Sequence, residues 1–249
     1  MDDPDLIQSL KSVITPPFNI SQRNLGPVSE SGHYSQAGQS AFVDKLLKNR
    51  VNGFFVECGA YEGLELSNSI FFELKRNWTG LLVEVSPNHF KQIIAKRRHA
   101  YGLNACLSPV SAPKHFKYQE VSHLGGLTAF EEKAHVETVR NTGYNATRKE
   151  EISVMCYPLY SVMLALGRNH IDYFSLDVEG AELAILKTIP FDKLRIDVID
   201  LEYRVWGGAS DTAQKIEKFR QFFKETKLYK EAGVLGDLDV AFHRLDLNI

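Results

Sequence analysis

The sequence has few cysteines, no long hydrophobic run and no excess of one charge. Its 3 cysteines, Cys58, Cys106 and Cys156, are too few and too widely spaced for a disulfide-dense miniprotein or a zinc motif, and we interpret all three as small core residues. No apolar run approaches the roughly 20 residues that cross a bilayer, so we expect no membrane span. With 29 basic and 31 acidic side chains the formal net charge is -2, and we therefore expect no nucleic-acid partner.

Short apolar runs and amphipathic segments alternate along most of the 249 residues. Strands are predicted at 53–57, 80–84, 101–107, 172–177 and 196–201. Helices are predicted at 41–49, 66–77, 88–98, 181–188 and 211–226. The alternation predicts βαβ units in a mostly parallel, doubly wound α/β sheet, and a hairpin over 229–244 predicts an antiparallel C-terminal edge.

Two segments depart from this alternation. Residues 1–40 are rich in proline, glycine and serine, and we interpret them as an extended arm that precedes a domain at 41–249. Ser40 is predicted to cap the first helix of that domain. Residues 109–160 are too long for an ordinary connection, so we interpret them as a lid or substrate-binding insert.

Acidic residues end several of the predicted parallel strands. Glu57, Glu84 and Asp177 stand at the carboxyl ends of three strands, and Glu202 follows a fourth. The carboxyl ends of parallel strands meet at one edge of the sheet, where ligands of doubly wound folds bind. Because buried carboxylates need partners, we expect this edge to bind a ligand that carries hydroxyl groups and a positive charge.

The turn after the first strand indicates which ligand this is. A dinucleotide-binding turn begins with glycine, but Glu57 takes that position and would repel a diphosphate. Gly59 and Gly63 still allow the backbone to approach a ligand closely. These residues favour S-adenosylmethionine, which has an adenosine and an ammonium group but no phosphate. Glu84 then corresponds to the acid that accepts the ribose hydroxyls, and Ala105 lies where a small residue could meet the adenine.

Six segments carry a family resemblance. They are 34–39, 53–60, 66–69, 78–84, 104–108 and 172–182, of which the last, DYFSLDVEGAE, is the most specific. They resemble the FkbM-type methyltransferases, and in particular their animal Star-like branch. The resemblance implies a Rossmann-like class I methyltransferase fold that binds S-adenosylmethionine and methylates a hydroxyl oxygen, often on a sugar or polyketide. The Star-like branch is similar to membrane-anchored secretory-pathway proteins that help to export growth-factor precursors.

The resemblance also implies roles in cofactor binding for individual residues. It assigns the cofactor turn to Glu57, Gly59, Ala60 and Gly63. Gln36 and Gln39 would close over the cofactor from the arm. Ser67 and Asn68 would open the next helix, where free backbone N–H groups favour the carboxylate of the methionine part.

Asp177 and Glu179 follow the fourth strand, where the transferred methyl group lies in this fold. A hydroxyl acceptor has a high pKa and needs a base or a metal to take its proton. We expect Asp177 to be that base, unless it only holds the ammonium group of the cofactor, and Glu179 to orient the acceptor or act as a second acid. Glu202 completes the acidic cluster, and together with Asp177 it could hold Mg²⁺, although no required metal is expected. His123 in the insert is an alternative base.

The main hypothesis is an S-adenosylmethionine-dependent O-methyltransferase that acts on a small-molecule or glycan hydroxyl. One alternative is a non-enzymatic trafficking or cargo-binding protein that keeps the fold; a nicotinamide-dependent oxidoreductase is disfavoured by Glu57. Three glycosylation sequons, at Asn19, Asn77 and Asn145, favour the secretory lumen. The acidic start of the chain has no secretory-signal pattern and favours the cytoplasm unless an anchor has been removed. The oligomeric state is not predicted.

Overall fold

The computed structural model describes residues 1–121, 124–141 and 151–248. The strands are β1 (Phe54–Cys58), β2 (Thr79–Val83), β3 (Tyr101–Leu103), β4 (Cys106–Leu107), β5 (Lys114–Gln119), β6 (Gly126–Leu127), β7 (Ile152–Tyr157), β8 (His170–Leu176), β9 (Arg195–Glu202), β10 (Tyr229–Leu235) and β11 (Asp239–Arg244). The helices are α1 (Pro4–Val13), α2 (Gln39–Leu46), α3 (Ile70–Lys75), α4 (Pro87–Lys96), α5 (Lys133–Asn141), α6 (Leu159–Ala165), α7 (Glu182–Leu186) and α8 (Ala209–Thr226). No helix within the described ranges is both long and apolar enough to cross a bilayer.

Seven strands form the main sheet in the order β10-β11-β9-β8-β1-β2-β3. The strands from β9 to β3 are parallel, whereas β11 and β10 are antiparallel. This topology confirms the predicted mostly parallel α/β sheet and its C-terminal hairpin. The chain moves from β1 to one side through β2 and β3, and returns on the other side at β8. The strand order therefore reverses between β1 and β8, which opens a crevice at their carboxyl ends.

The single strand predicted at 101–107 is in fact two strands in two sheets. β3 ends at Leu103, and the Asn104 side chain then turns the chain by donating to the backbone carbonyl oxygens of Glu84 (2.8 Å) and Val85 (3.2 Å). β4 pairs instead with β7 in a second sheet, whose order is β4-β7-β5-β6. The described part of residues 109–160 thus contributes three of the four strands of this second sheet. Their action as a lid or substrate-binding insert stays a prediction.

Cys106 and Cys156 form a disulfide between β4 and β7. The two residues are 50 positions apart in the sequence, and only the pairing of β4 with β7 makes them neighbours. Both are buried, as expected, but their interpretation as simple core residues is wrong because they are bonded to each other. Cys58 alone fits that interpretation, since it is free and buried.

The first 40 residues are not wholly extended. Asp3 caps α1 by accepting a hydrogen bond from the backbone N–H of Asp5 (3.0 Å), and Leu10 of this helix is fully buried. After α1, Thr15 and Gly102 exchange two backbone hydrogen bonds (2.8 and 2.9 Å) at the free edge of β3. The predicted extended arm is therefore corrected to a segment that packs on the domain through a helix and a bridge.

The start of α2 also differs from the prediction. The helix begins at Gln39, and Gly38 occupies the cap position with a φ of 78°. Ser40 lies inside the helix and does not cap it. Its buried hydroxyl instead contacts Nδ1 of His33 (2.8 Å). Because Gly38 adopts a left-handed backbone conformation, the chain turns into the helix without a side-chain cap.

Candidate active site

Gly59 and Asp177 lie side by side where β1 and β8 end. The backbone N–H of Asp177 donates to the carbonyl oxygen of Cys58 (3.1 Å), and Gly59 has a φ of 85°. A left-handed backbone without a side chain is what glycine provides. The two strand ends can therefore approach each other at the point where the strand order reverses.

Two cavities meet at this pair of residues. The strand-end cavity is lined by Cys58, Gly59, Val83, Glu84, Val85, Ala105, Cys106, Leu107, Tyr118, Gly125, Gly126, Leu127, Asp177, Val178, Ala181 and Ile185. The turn cavity is lined by Gln36, Glu57, Gly59, Ala60, Tyr61, Glu65, Leu66, Asn68, Ser175 and Asp177. Gly59 and Asp177 line both cavities. The sequence did not predict the part of the wall that Tyr118 and Gly125 contribute from the insert.

Glu84 lines the strand-end cavity with its carboxylate held in place. The carboxylate accepts the backbone N–H groups of Tyr61 (2.8 Å) and Ser86 (2.7 Å). Burial raises the pKa of Glu84 to about 8. Ala105, the other residue predicted for this part of the site, lies in the same wall. Their contacts with ribose and adenine stay predictions.

Glu57 lines the turn cavity, but the protein itself binds its carboxylate. Glu57 accepts hydrogen bonds from the Ser67 hydroxyl (2.9 Å), the backbone N–H of Asn68 (2.7 Å) and the Ser69 hydroxyl. The expectation that Ser67 and the Asn68 N–H meet a methionine carboxylate is therefore corrected, because Glu57 occupies both. A buried carboxylate needs donors, and the start of the next helix supplies the nearest ones.

Arg98 is a buried cation behind this turn that the sequence did not predict. Its guanidinium donates to Glu73 (2.6 Å), to the carbonyl oxygen of Gly63 (2.7 Å) and to the Ser69 hydroxyl (3.0 Å). Arg98 is 1% exposed, so these contacts are shielded from water. Gly63, which lines neither cavity described above, thus belongs to the network that holds the turn in shape.

Asn68 and Gln36 both line the turn cavity, and their contacts with the cofactor stay predictions. The Asn68 side chain donates to the Ser175 hydroxyl (3.0 Å), while its Oδ1 is buried without a hydrogen-bond partner among the residues that the structure describes. Gln36 is exposed at this cavity. Gln39 points elsewhere and donates to Asp239 (2.5 Å), so the expectation that it closes over the cofactor is wrong.

Asp177, Glu179 and Glu202 form an acidic cluster at the edge of the crevice. Each offers a carboxylate oxygen within 4.8 Å of the others. Burial, reinforced by neighbouring carboxylates, raises the pKa of Asp177 to about 7 and places the pKa values of Glu179 and Glu202 well above their usual range. Ala60, another residue of the predicted turn, lines the turn cavity together with Asp177.

Two further groups approach the acidic cluster and were not predicted. Lys215 of α8 is buried, and its Nζ lies 3.2 Å from Glu182. His135 of α5 places Nδ1 3.5 Å from the carboxylate of Glu179. His123, the histidine singled out from the sequence, lies outside the described residues. Among the described residues of the insert, His135 is a histidine that lies beside these acids.

Comparisons with known proteins identify the family. Residues 57–230, more than half of the chain, match the Methyltransferase FkbM domain. Among solved structures, the chain is similar to methyltransferase FkbM from Methylobacillus flagellatus KT, with 10% identity and a TM-score of 0.48 over 96% of this chain. It spans 58% of that protein's chain.

Two more solved structures are similar at a comparable distance. Precorrin-6y C5,15-methyltransferase from Geobacter metallireducens GS-15 has 11% identity and a TM-score of 0.42, covering 92% of this chain and 97% of that chain. The hMettl16 catalytic domain in complex with the MAT2A 3'UTR hairpin 6 has 12% identity and a TM-score of 0.41, covering 90% and 76%. No curated protein matches. On the match over residues 57–230, the chain belongs to the FkbM methyltransferase family, for which S-adenosylmethionine is the methyl donor.

Proposed function

We propose that this protein transfers a methyl group from S-adenosylmethionine to a hydroxyl oxygen of a polar acceptor such as a glycan. The observation that carries the proposal is the position of Asp177, which lines both cavities beside Gly59. A donor that extends through both cavities passes Asp177. An acceptor bound there meets a carboxyl group whose pKa of about 7 suits proton removal near neutral pH.

The described residues fit the two halves of the donor. In the strand-end cavity, Glu84 would hold the ribose hydroxyls beside the apolar side chains of Ala105 and Leu107. In the turn cavity, Asn68 Oδ1 is a buried acceptor that lacks a partner within the described ranges, and an ammonium group would satisfy it. When bound, S-adenosylmethionine supplies a methyl group on a positively charged sulfur.

The residues of the chain supply position and proton removal. Methyl transfer from sulfur to oxygen is a displacement in line, so holding the acceptor at the right angle contributes a large part of the rate. Asp177 accepts the proton of the acceptor hydroxyl from its position in the wall of both cavities. Glu179 is the proposed orienting residue for the acceptor, because its carboxylate can accept a hydrogen bond from a second hydroxyl group.

A nucleic acid is not the proposed acceptor. A nucleic acid would bring negatively charged phosphate groups close to the carboxylates of Asp177, Glu179 and Glu202. The like charges would repel each other. Sugar hydroxyls, in contrast, donate hydrogen bonds to carboxylates. The same surface therefore favours a carbohydrate or another neutral polyol.

An oxidising compartment such as the secretory lumen is part of this proposal. The Cys106–Cys156 disulfide supports it, since disulfides persist mainly outside the reducing cytosol. The sequon residues Asn19 and Asn77 are exposed, and Asn145 lies outside the described residues. The kinship with the animal Star-like branch stays a prediction.

The test compares the wild-type protein with Asp177→Asn. Each is incubated with S-adenosylmethionine labelled in its methyl group, together with a panel of free glycans and an RNA oligonucleotide. We expect the wild type to label a glycan and Asp177→Asn to lose about 100-fold or more of that activity, the usual contribution of a general base. Glu225→Gln, an exposed charge change on α8, is the matched control. Failure of the wild type to bind S-adenosylmethionine in calorimetry, or full activity of Asp177→Asn, would refute the proposal.

A further inference from the structure

Within the described ranges, two clusters bring three acidic or histidine ligand atoms within 4.8 Å of one another. One of them, His170, Asp172 and Asp197, lies where β8 and β9 begin. A single nitrogen of Arg50 donates there to Asp172 (2.5 Å) and Asp197 (2.6 Å), and Arg195 pairs with Asp197 (2.7 Å). The guanidinium groups already neutralise these acids, so this cluster has a structural role.

The acidic cluster of Asp177, Glu179 and Glu202 has no comparable guanidinium partner among the described residues. Lys215 is the nearby cation, and its Nζ lies 3.2 Å from one oxygen of Glu182. The other oxygen of Glu182 accepts two backbone N–H groups of the loop after β8 (3.1 Å each). Lys215 is thus engaged by a fourth carboxylate, and its one charge also attracts Glu179 and Glu202. One lysine against four carboxylates leaves negative charge in excess.

His135 is the other group that faces the cluster. Its Nε2 lies 3.1 Å from the carbonyl oxygen of Leu124, and a carbonyl only accepts, so Nε2 carries the hydrogen. Its Nδ1 lies 3.5 Å from the carboxylate of Glu179. In the neutral ring this nitrogen is an acceptor, so that form of His135 offers Glu179 no hydrogen bond.

Glu202 provides the second, independent sign that the cluster binds a cation. The residue is 7% exposed, and its Oε2 is buried without a hydrogen-bond partner in the part of the chain that the structure describes. An unsatisfied carboxylate oxygen inside the protein is costly. Oxygens that bind one Mg²⁺ lie at most about 4 Å apart, twice the metal–oxygen distance, so side chains whose oxygens lie within 4.8 Å of one another need to move little to share one ion.

We propose that Asp177, Glu179 and Glu202 bind one divalent metal ion, Mg²⁺ or Mn²⁺, next to the methyl acceptor. Carboxylate oxygens are the ligands that these hard cations prefer. The inference rests on the proposed function for its chemical role: the ion would bind the acceptor oxygen and lower the pKa of the hydroxyl. One oxygen of Asp177 would bind the ion while the other receives the proton.

The binding test uses Mn²⁺ as the probe, since electron paramagnetic resonance detects the free ion. We expect the wild type to bind one Mn²⁺ with a Kd below about 1 mM, and Mg²⁺ to displace it. Glu202→Gln and Glu179→Gln should each weaken binding about tenfold or more, because carboxylate count sets the affinity of such sites. Glu225→Gln should bind Mn²⁺ like the wild type. Circular dichroism checks the fold of each variant, and Glu179→Gln decides the matter if Glu202→Gln does not fold.

A parallel titration with S-adenosylmethionine separates this inference from the proposed function. Mn²⁺ binding that depends on Glu179 and Glu202, without any binding of S-adenosylmethionine, would support the metal site and refute the methyltransferase proposal. Binding of S-adenosylmethionine with no Mn²⁺ bound at about 1 mM, in its presence or absence, would overturn the metal site alone. Unchanged Mn²⁺ affinity in both variants would overturn it as well.

Discussion

A β-carbon on Gly59 would lie 1.9 Å from the backbone carbonyl oxygen of Asp177. No real contact is that short, so the turn after β1 and the loop after β8 can meet only through glycine. We expect Gly59→Ala to lower the free energy of unfolding by about 2 to 5 kcal/mol, from left-handed backbone strain plus the clash. Binding of S-adenosylmethionine should be lost as well. Urea denaturation and calorimetry measure the two effects.

Gly167 supplies the matched control for this substitution. It has a similar backbone, with a φ of 68°, but a β-carbon there would meet no described atom within 4 Å. Gly167→Ala should therefore cost only the backbone strain of about 1 to 2 kcal/mol and leave cofactor binding unchanged. Equal losses of stability in the two variants would contradict the role assigned to the Gly59–Asp177 contact.

The buried acids of the crevice predict that the ligand-free protein loses stability as the pH rises. The pKa is about 8 for Glu84, about 7 for Asp177 and about 6 for Asp239, each raised first by burial. Since these values exceed those of the unfolded chain, the native state binds more protons. Their stabilisation is complete below about pH 4 and is lost progressively up to about pH 8. We expect a lower Tm at about pH 8 than at about pH 5.

Glu202→Gln tests the origin of this pH dependence. It removes one titrating acid from the cluster, so the decline of Tm with pH should become shallower. Asp197 contributes the opposite sign, because its pKa is lowered to about 2, but that change falls below about pH 4. A Tm that stays constant or rises between about pH 5 and pH 8 would show that the buried acids do not control stability.

Arg98 is expected to be the costliest arginine to replace. Arg98→Met would leave the buried carboxylate of Glu57 without its nearby cation and leave Glu73 paired with Arg23 instead of with two arginines, and breaking a buried ion pair typically costs about 3 to 5 kcal/mol. Arg220→Met is the control, since Arg220 pairs with Glu231 on the surface and such pairs contribute about 1 kcal/mol or less. Urea denaturation of both variants gives the comparison, and similar losses would contradict it.

Reduction of the Cys106–Cys156 disulfide should weaken both the fold and the cofactor site. The bond closes a loop of 50 residues, for which chain entropy gives about 4 kcal/mol of stabilisation. Cys106 also lines the strand-end cavity, so reduction should lower the affinity for S-adenosylmethionine. Denaturation and calorimetry with and without dithiothreitol measure both losses. The double variant Cys106→Ser, Cys156→Ser should show no further response to dithiothreitol.

Local patterns were sufficient to predict the core of the fold. The apolar runs of β1 and β8 are each bounded by turn residues. Glu57 directly follows the apolar run of β1, and Asp177 directly follows β8, so the strands and the carboxylates at their ends could both be predicted from the sequence. The pattern at the start of α1 was equally local: Leu6, Leu10 and the Asp3 cap have helical spacing, although the prolines that follow obscured it.

Local patterns do not predict contacts between segments that are far apart in the sequence. The partner of Cys106 depends on the pairing of β4 with β7, and the donors that hold Glu57 depend on how Arg98 reaches back to the turn. Lys215 is an exception, because its burial could have been predicted from its position on α8. It shares the apolar face of α8 with Phe219 and Phe223, at a spacing of four residues, where a lysine indicates a buried acidic partner.

The bridge between Thr15 and Gly102 also protects the sheet from self-association. An open edge strand offers unpaired backbone groups to any other extended chain, and β3 is such an edge. Thr15 takes up the hydrogen bonds of Gly102, while at the opposite border β10 carries an irregularity between Glu231 and Gly233 that discourages regular pairing. We therefore expect that removal of the first sixteen residues would expose the edge of β3 and make the protein prone to self-association through that strand.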